Sequence, residues 1–577
     1  MTFQNFSNYL EKLEQTSSRL SLIDILVQLF NQLKPEEVPL AAYLIQGRVA
    51  PFYEPLEIGM AEKSVAAAIA RAYGVEREEV LTHYGKVGDL GKVAEQLSAK
   101  KQTKSSGLSL QEVFGQLKRI AYFQGQGTVE NKISSLAALL QKSGGVEAKH
   151  LVRIPLGTSR LGVGDPTVLD AFAKAKLGDK MQRKLLEPAY NKVSDLGLIG
   201  ATLWEKGLTG VEKLDVQVGR PLRSQLCERI TDPNAVLEKY GGRAHAQYKF
   251  DGLRVQIHKQ GKSVRLFSRN LEETTAMFPD IIEGVISQVK ADSVILDSEA
   301  LAFNPQSDEF LPFQETTKRR RKYGVAEMQK KLPLKAFVFD IMYLNGKSLI
   351  NLPLIKRLEH LVKVVRGDEV LIPQPGEVVT TPQRLQELFN DALTKGLEGL
   401  VVKRVDSKYE AGARNFNWVK LKRHSAFKLQ DTIDCVILGY IYGRGKRAQF
   451  GAGALLVGVY DDKRDEFVTV SKIGTGLTDE EWREVQRKAD KIRVESKPAR
   501  VNAVLVPSVW IKPEIVIEVL ADEITRSPVH TAGKEGKKSS GYALRFPRLI
   551  QFRNDKHAED ATTVAELIKM YQGQYKK

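Results

Sequence analysis

Apolar residues change their spacing along this 577-residue chain, and the change restricts what it can fold into. Up to about residue 214 they recur at three- and four-residue intervals, as in LSLIDILVQLFNQL and KSVAAAIARAYG. That interval gathers them on one face of a helix. From about 215 to 423 short alternating runs take over: AQYKF, LRVQIHK, SVRLFS, SVILDSEALAF, KAFVFDIMYL, GLVVKRV and NWVKLK. Alternation sends every second side chain to the same side of a strand. Helical stretches such as PQRLQELFNDALTKG lie between these runs, so this part reads as an α+β domain with an antiparallel sheet. From 424 onward come DCVILGYIYG, ALLVGVYDD, EFVTVSKI and EIVIEVLADEI, a rhythm that suits a small all-β barrel. A single core cannot serve such a length, so the expectation is a multidomain chain divided as 1–214, 215–423 and 424–577.

Charge narrows the choice of partner. The chain carries 87 Lys and Arg against 70 Asp and Glu, a net of +17, with basic clusters KRRRK (318–322) and GRGKR (443–447). Such a balance suits a polyanion, nucleic acid above all; a merely soluble basic surface is the plainer alternative. With 42% hydrophobic residues the chain has enough apolar surface to fold. It has no apolar run of bilayer length and no signal peptide, and MTFQNFSNYLEKLEQ reads as an amphipathic helix, so a cytoplasmic protein without membrane contact is expected. Cys227 and Cys435 are too few for a disulfide framework or a zinc cluster.

In the helical region, RIPLGTSRLGVGDPTVLDAFAKA (153–175) places Gly157, Gly162 and Gly164 around Arg160. Asp165 is expected to cap a helix that begins at Pro166. A glycine loop feeding a helix N-terminus can hold phosphate or can be a plain inter-helix turn. KVGDLGKVAEQL (86–97) has the same double reading.

The stretch AQYKFDGLRVQIHK (246–259) puts Lys249 at a sharp bend between two extended runs. Alone, this lysine reads as a strand-edge residue that snorkels to water. The segments that follow give it company. Lys420 and Lys422 in WVKLK are two apart on a strand and so point the same way. Arg254 and Arg269 come from neighbouring strands, and the chain has no G-x-x-x-x-G-K-[ST] loop, so any phosphate must be met by side chains. Asp297 and Glu299 share a face, offering hard oxygens to Mg²⁺ or an acceptor to a ribose hydroxyl. Phe339 can stack on a purine. An ordinary lysine is only about 0.04% neutral at pH 7, so a nucleophilic Lys249 would need cations crowded around it.

Taken in order, KFDG, SRN (268–270), DSE (297–299), FD (339–340), EGLVVK (398–403), WVKLK (418–422) and RNDK (553–556) resemble the covalent nucleotidyltransferases, and specifically the ATP-dependent DNA ligases of archaeal and eukaryotic type. The segments VGDLG and SRLGVGDPTVLDA resemble the helical region of that family. The resemblance implies an all-α DNA-binding domain, an adenylation domain and an OB-fold barrel, with ATP and Mg²⁺ as cofactors. It implies a monomer that seals nicks in double-stranded DNA through lysyl-AMP on Lys249. It further implies Glu299 at the ribose, Phe339 on adenine, Arg254, Arg269, Arg414, Lys420 and Lys422 at phosphate, Glu299 and Glu398 at the metal, and RNDK orienting pyrophosphate. RNA ligases and mRNA-capping guanylyltransferases share the lysine motif, and a non-catalytic nucleic-acid binder could keep the same fold.

Two positions depart from the simple pattern. The family usually has glutamate where this chain has Gln247, which can both donate and accept, so weaker discrimination against GTP or ITP is expected. Glu398 and Lys403 are five apart, so strict alternation puts them on opposite faces and Lys403 would reach phosphate only through a bulge. QNFSNYL near the N-terminus is a possible docking strip for a sliding clamp or an ordinary first helical turn.

Overall fold

The computed structural model describes all residues except 231, 305–308, 311–312, 322, 395–396, 423–430, 443–451, 475–476, 522, 528, 537–538, 546 and 574–577. The cluster GRGKR (443–447) therefore lies outside the described residues. The chain falls into two compact units, Met1–Lys422 and Arg423–Lys577. Among the described residues no helix is long and apolar enough to cross a membrane.

The first unit is helical from Phe3 to Glu212. Its ends are set by local chemistry. Ser18 Oγ accepts from Ser21 N at 3.3 Å to open Arg19–Asn31. Ser109 and Glu112 cap each other around the start of Leu110–Tyr122. Gly74, at φ +60°, closes Glu62–Tyr73 in a left-handed turn. The first helix, Phe3–Glu14, buries Phe3, Phe6, Tyr9, Leu10 and Leu13. The aromatic residues of QNFSNYL are thus core, and that strip is not free to dock a clamp.

The glycine loops serve each other. Helix Asp165–Leu177 is capped by Gly164, not by Asp165. Asp165 instead accepts from Gln46 Nε2 at 2.6 Å, Arg223 Nη2 at 2.8 Å and Tyr190 Oη. A carboxylate already occupies that helix start, which removes the phosphate reading there. Asp89 caps Leu90–Lys100 and pairs with Arg153 and with Arg160 Nη1 at 3.3 Å, joining one loop to the other.

The strands of the first unit are β1 (Leu226–Arg229), β2 (Ala244–Lys249), β3 (Leu253–Gln260), β4 (Ser263–Ser268), β5 (Ser293–Asn304), β6 (Glu309–Phe310), β7 (Leu334–Leu344), β8 (Lys347–Ser348), β9 (Leu371–Pro373), β10 (Glu377–Val379), β11 (Gly399–Arg404) and β12 (Arg414–Lys422). They form two sheets. One runs β1-β12-β11-β2-β10; the other runs β4-β3-β5-β7-β8, with β6 on β5 and β9 on β7. The sheets are antiparallel except at β1–β12 and β7–β9, which are parallel. The runs on either side of the Lys249 bend do not form a hairpin: β2 belongs to the first sheet and β3 to the second. A Cβ on Gly252, between them, would lie 2.3 Å from Ala300 O, so only glycine lets the chain cross so close to β5.

The basic cluster KRRRK is partly structural. Arg319 is fully buried, with Nη1 and Nη2 on Asp280 at 2.8 and 3.0 Å, and Lys318 and Arg320 pair with Glu315 and Glu272. A buried, paired arginine offers nothing to a polyanion. Lys322 lies outside the described residues.

The second unit is β-rich but not all-β. Its strands are β13 (Ile433–Tyr442), β14 (Ala452–Asp461), β15 (Glu466–Ile473), β16 (Arg493–Val494), β17 (Val501–Asn502), β18 (Val509–Ile511), β19 (Val516–Leu520), β20 (Glu523–Ser527), β21 (Gly541–Arg545) and β22 (Arg548–Phe552). The main sheet runs β16-β18-β13-β14-β15-β17, with β19 joining β13 to β22. Helices Asp479–Asp490 and Val564–Gly573 bury Trp482, Val485 and Leu567 in the same core. In the RNDK segment, Arg553 Nη1 and Lys556 Nζ reach Asp434 at 3.2 and 2.6 Å.

Helix Val146–Arg153 meets the first helix through charge. Lys149 Nζ bridges Glu11 and Glu14 at 2.6 and 2.8 Å, and Arg153 Nη1 holds Glu14 at 2.7 Å. Burial, helped by Arg153 and Lys149, pushes buried His150 down to about 4. Burial works to raise Glu14, but Arg153 and Lys149 hold it down to about 2. Both folded values lie below the unfolded ones, so the His150 contribution is full above about pH 6.5 and is lost as pH falls to about 4, whereas that of Glu14 is lost only between about 4.5 and 2. For His150 the loss is on the order of 3 kcal/mol. The thermal midpoint should drop between pH 7 and 4, and His150→Gln should flatten that drop. An unchanged slope in the variant would contradict this origin.

Candidate active site

One face of the β2-β11-β12 surface collects the expected lysines. The register pairs Gly399 with Lys249, Val401 with Gln247 and Lys403 with His245 across β11–β2. It pairs Gly399 with Lys422, Val401 with Lys420 and Lys403 with Trp418 across β11–β12. Directly paired residues point to the same side. Lys249, Gln247, Lys420, Lys422 and Lys403 therefore share one face, and Lys403 reaches it without a bulge. The irregular residue is Gly399, at φ +134°, which lets Glu398 turn onto that face.

Glu398 sets the charge around Lys249. Its Oε2 pairs with Lys249 Nζ and with Lys422 Nζ, the latter at 2.7 Å, while its N–H donates to Lys249 O at 3.1 Å. Burial works to raise the Glu398 carboxyl, but Lys249 and Lys422 hold it below its ordinary value. Among the described residues, the expected crowd of cations around Lys249 is thus partly neutralised, because a carboxylate sits between Lys249 and Lys422. Lys420 has its ammonium disfavoured by burial and then by Lys422.

Arg254 is also spent. It forks onto Asp297 at 3.0 and 2.6 Å and donates Nη1 to Gln225 O at 2.9 Å. Asp297 is fully buried and takes a further bond from Tyr409 Oη at 2.8 Å. Asp297 and Glu299 do share a face, yet Asp297 has no oxygen to spare for a metal. Glu299 differs. It is half-buried with no ion pair among the described residues, and burial, opposed by Arg254 and Lys249, pushes it up to about 7.

Phe339 stands at an irregularity. Asp297 pairs with Asp340 and Ser298 with Val338, so Phe339 is the extra residue of a bulge in β7. Its half-buried ring lies edge-on to Trp418 at 6.2 Å, with the Arg254 guanidinium at 5.3 Å and Lys403 Nζ at 4.9 Å. Burial pushes Lys403 down to about 8. Its Nζ is nevertheless shut in, 3.9 Å over the Trp418 ring and 3.3 Å from Phe339 O, with 1% of the residue exposed. The neighbouring Asp340 is fully buried under a fork from Arg357 at 2.8 and 3.0 Å.

Arg414 is exposed at the start of β12, six positions from Lys420. The register on β1 shifts between Cys227 and Glu228, so Arg414 faces Leu226 and Lys420 faces Arg229, only three residues on. Arg269 follows Ser268, which pairs with Val255, and so lies beside Arg254; it is exposed. Gln247 is 3% exposed. Its Nε2 donates to Phe339 O at 3.2 Å and Gln374 O at 2.6 Å, while its Oε1 is buried with no partner. Sequence reasoning missed Tyr409, Gln225, Gln374 and Arg357, which hold these groups; they are single polar residues in unremarkable runs and gave no local signal.

Comparison with known proteins identifies the family to which each part of the chain is similar. Residues 2–173 match the model described as DNA ligase N terminus, 224–422 the ATP dependent DNA ligase domain, and 448–556 the ATP dependent DNA ligase C terminal region. A probable DNA ligase of Dictyoglomus turgidum is 46% identical over 100% of this chain and 98% of its own length. A DNA ligase of Sulfolobus acidocaldarius is 38% identical over 100% and 99%. A solved structure described as Pmar-Lig_PreS3 aligns with a TM-score of 0.52 at 16% identity over 95% of this chain and 99% of that one, a likeness of fold. The chain belongs to the ATP-dependent DNA ligase family, enzymes that use ATP, act on nicked DNA and work through a covalent adenylate.

The Asp297–Arg254 fork carries a stability consequence. Asp297→Asn would leave a buried guanidinium short of its counter-charge, at a cost of about 3 kcal/mol. Urea unfolding should show the midpoint fall accordingly. A variant as stable as the parent would show that the pair does not anchor the sheets.

Proposed function

We propose that Lys249 is the nucleophile of an ATP-dependent nick-sealing reaction. The observation that carries this reading is the convergence of Lys249, Glu398, Lys420 and Lys422 on one sheet face beside the Phe339 ring. Lys249 Nζ attacks the α-phosphorus of ATP; an N–P bond forms and the bond to pyrophosphate breaks. The 5′-phosphate at a nick then takes AMP from Lys249, and the 3′-hydroxyl displaces AMP to close the strand. Lys420, Lys422 and Arg414 offset charge on the phosphates, with Arg269 at the adjoining edge, which Arg254 supports through its fork onto Asp297. Phe339 is the platform for the base.

Glu299 and Glu398 are the residues that fit Mg²⁺. Both offer hard carboxylate oxygens, and Glu299 makes no ion pair among the described residues, with Arg254 and Lys249 acting on it only from a distance. Mg²⁺ bound there would supply positive charge against the α-phosphate. Glu398, in contact with Nζ, orients the amine. All these groups come from one chain, which supports a monomer as the acting unit. The co-substrate ATP supports a cytoplasmic setting.

Gln247 bears on nucleotide choice. Its two N–H groups are spent on backbone carbonyls, so it offers a ligand an acceptor and nothing else. That orientation removes the reason to expect loose selectivity and favours a base with an amino group, adenine over hypoxanthine. Gln247→Glu would set a carboxylate against two carbonyl oxygens and should slow adenylate formation about tenfold. Equal rates, or a faster Glu variant, would overturn this account of Gln247.

The decisive assay is sealing of a nicked duplex with ATP and Mg²⁺. Lys249→Ala should lower the rate by about a thousandfold or more. A variant that still seals, or a wild type that forms a guanylate without joining DNA, would defeat the reading.

A further inference from the structure

A short strap carries the chain from one sheet to the other beside the lysine face. β9 ends at Pro373, in parallel register with Val338 of β7, and β10 begins at Glu377, opposite Ala246 of β2. The strap 373–376 reads P-Q-P-G. Its prolines fix φ and have no N–H to satisfy, so it has little freedom. Gly376 stands at φ +65°, and a Cβ there would lie 2.4 Å from Ala246 O, 2.6 Å from His245 Cε1 and 2.7 Å from Gln247 Cγ. The strap therefore closes directly against β2, and only glycine allows that approach.

Two consecutive carbonyls of the strap turn toward β2. Gln374 N donates to Val338 O at 2.7 Å, which anchors the strap on β7. Gln374 O accepts from Gln247 Nε2 at 2.6 Å, and Pro375 O accepts from His245 Nε2. His245 is 2% exposed. Burial, with Lys403 nearby, pushes it down to about 4, so at neutral pH its ring is uncharged and has one N–H to give. That proton goes to the strap, and Nδ1 has no partner. An amide side chain can turn over and exchange its acceptor for its donors. With Phe339 O and Gln374 O both in place, the turned state would set Gln247 Oε1 against two carbonyl oxygens. Without Gln374 O, only the bond to Phe339 O, at 3.2 Å, opposes the turn.

We infer that the strap 373–376 is the specificity-determining segment of the nucleotide site, holding Gln247 with its acceptor toward the amino group of a purine, and that His245 is the residue that positions the strap. The inference rests on the proposed binding of ATP over Phe339 and names what fixes the choice of base. Adenine gives Oε1 an amino N–H. Hypoxanthine sets a carbonyl against it and leaves a buried acceptor unpaired.

The test compares adenylate formation by the full chain with ATP and with ITP. Wild type should prefer ATP by about tenfold or more in kcat/KM. His245→Phe keeps a buried ring but gives Pro375 O no proton, and should bring the preference to within about threefold, through a higher KM for ATP. His245→Gln, which can still donate, should restore most of it. Gly376→Ala, which must shift the strap away from β2, should act like His245→Phe. Thermal midpoints measured on the same variants separate selectivity from packing. A lower midpoint with the ATP-to-ITP ratio unchanged would overturn the inference, as would a wild type that takes both nucleotides equally. A wild type that forms no adenylate at all would sink the nick-sealing reading and this inference with it, so the two failures are told apart.

Discussion

A carboxylate shut away from water, Asp297, is the constraint on which the sheet region depends. It holds Arg254 in a fork and Tyr409 by its hydroxyl. Tyr409 Oη in turn accepts from Gln225 N, and Arg254 donates to Gln225 O. Asp297 and Arg254 belong to one sheet, whereas Gln225 leads into the edge strand of the other. A buried ion persists only where every lone pair and proton is met, so this node fixes where the two sheets stand. A second node, Asp340 under Arg357, does the same for helix Leu354–Val364.

With the sheets fixed, chemistry can be sited on their facing surfaces. Gly252 lets the chain pass from β2 to β3 against β5, so Lys249 and Arg254 end one sheet and begin the next. Gly399 turns Glu398 onto the lysine face. The bulge at Phe339 swings its ring out of strand register. Each device breaks a regular pattern at one residue, and each places a group that the regular pattern would have sent elsewhere.

These irregularities mark how far the sequence could be read. Alternation in AQYKF, GLVVKRV and NWVKLK was enough to locate β2, β11 and β12, and to put Lys420 and Lys422 on one side. It could not show that Lys403 joins them, because that depends on which residue of β11 faces Lys249. Nor could it show that Arg414 approaches Lys420, since the register shift opposite Cys227 is a tertiary event. Charge was the least legible quantity. Arg254, Arg319 and Asp165 looked available in sequence and are each committed to a partner, whereas Arg48 drew no notice and makes no ion pair among the described residues. The helices Asp479–Asp490 and Val564–Gly573 were missed because short strands on either side dominated the pattern.

Two amines on the same face compete for the role of nucleophile. Burial favours the neutral form in Lys403, which is shut in, while Lys249 is only half-buried. Geometry decides between them only if access outweighs proton affinity. Peptide mapping of the full chain after reaction with ATP labelled at the α-phosphate settles it. The account predicts an acid-labile adenylate on Lys249 and none on Lys403, Lys420 or Lys422; a label on any of those three instead would contradict it.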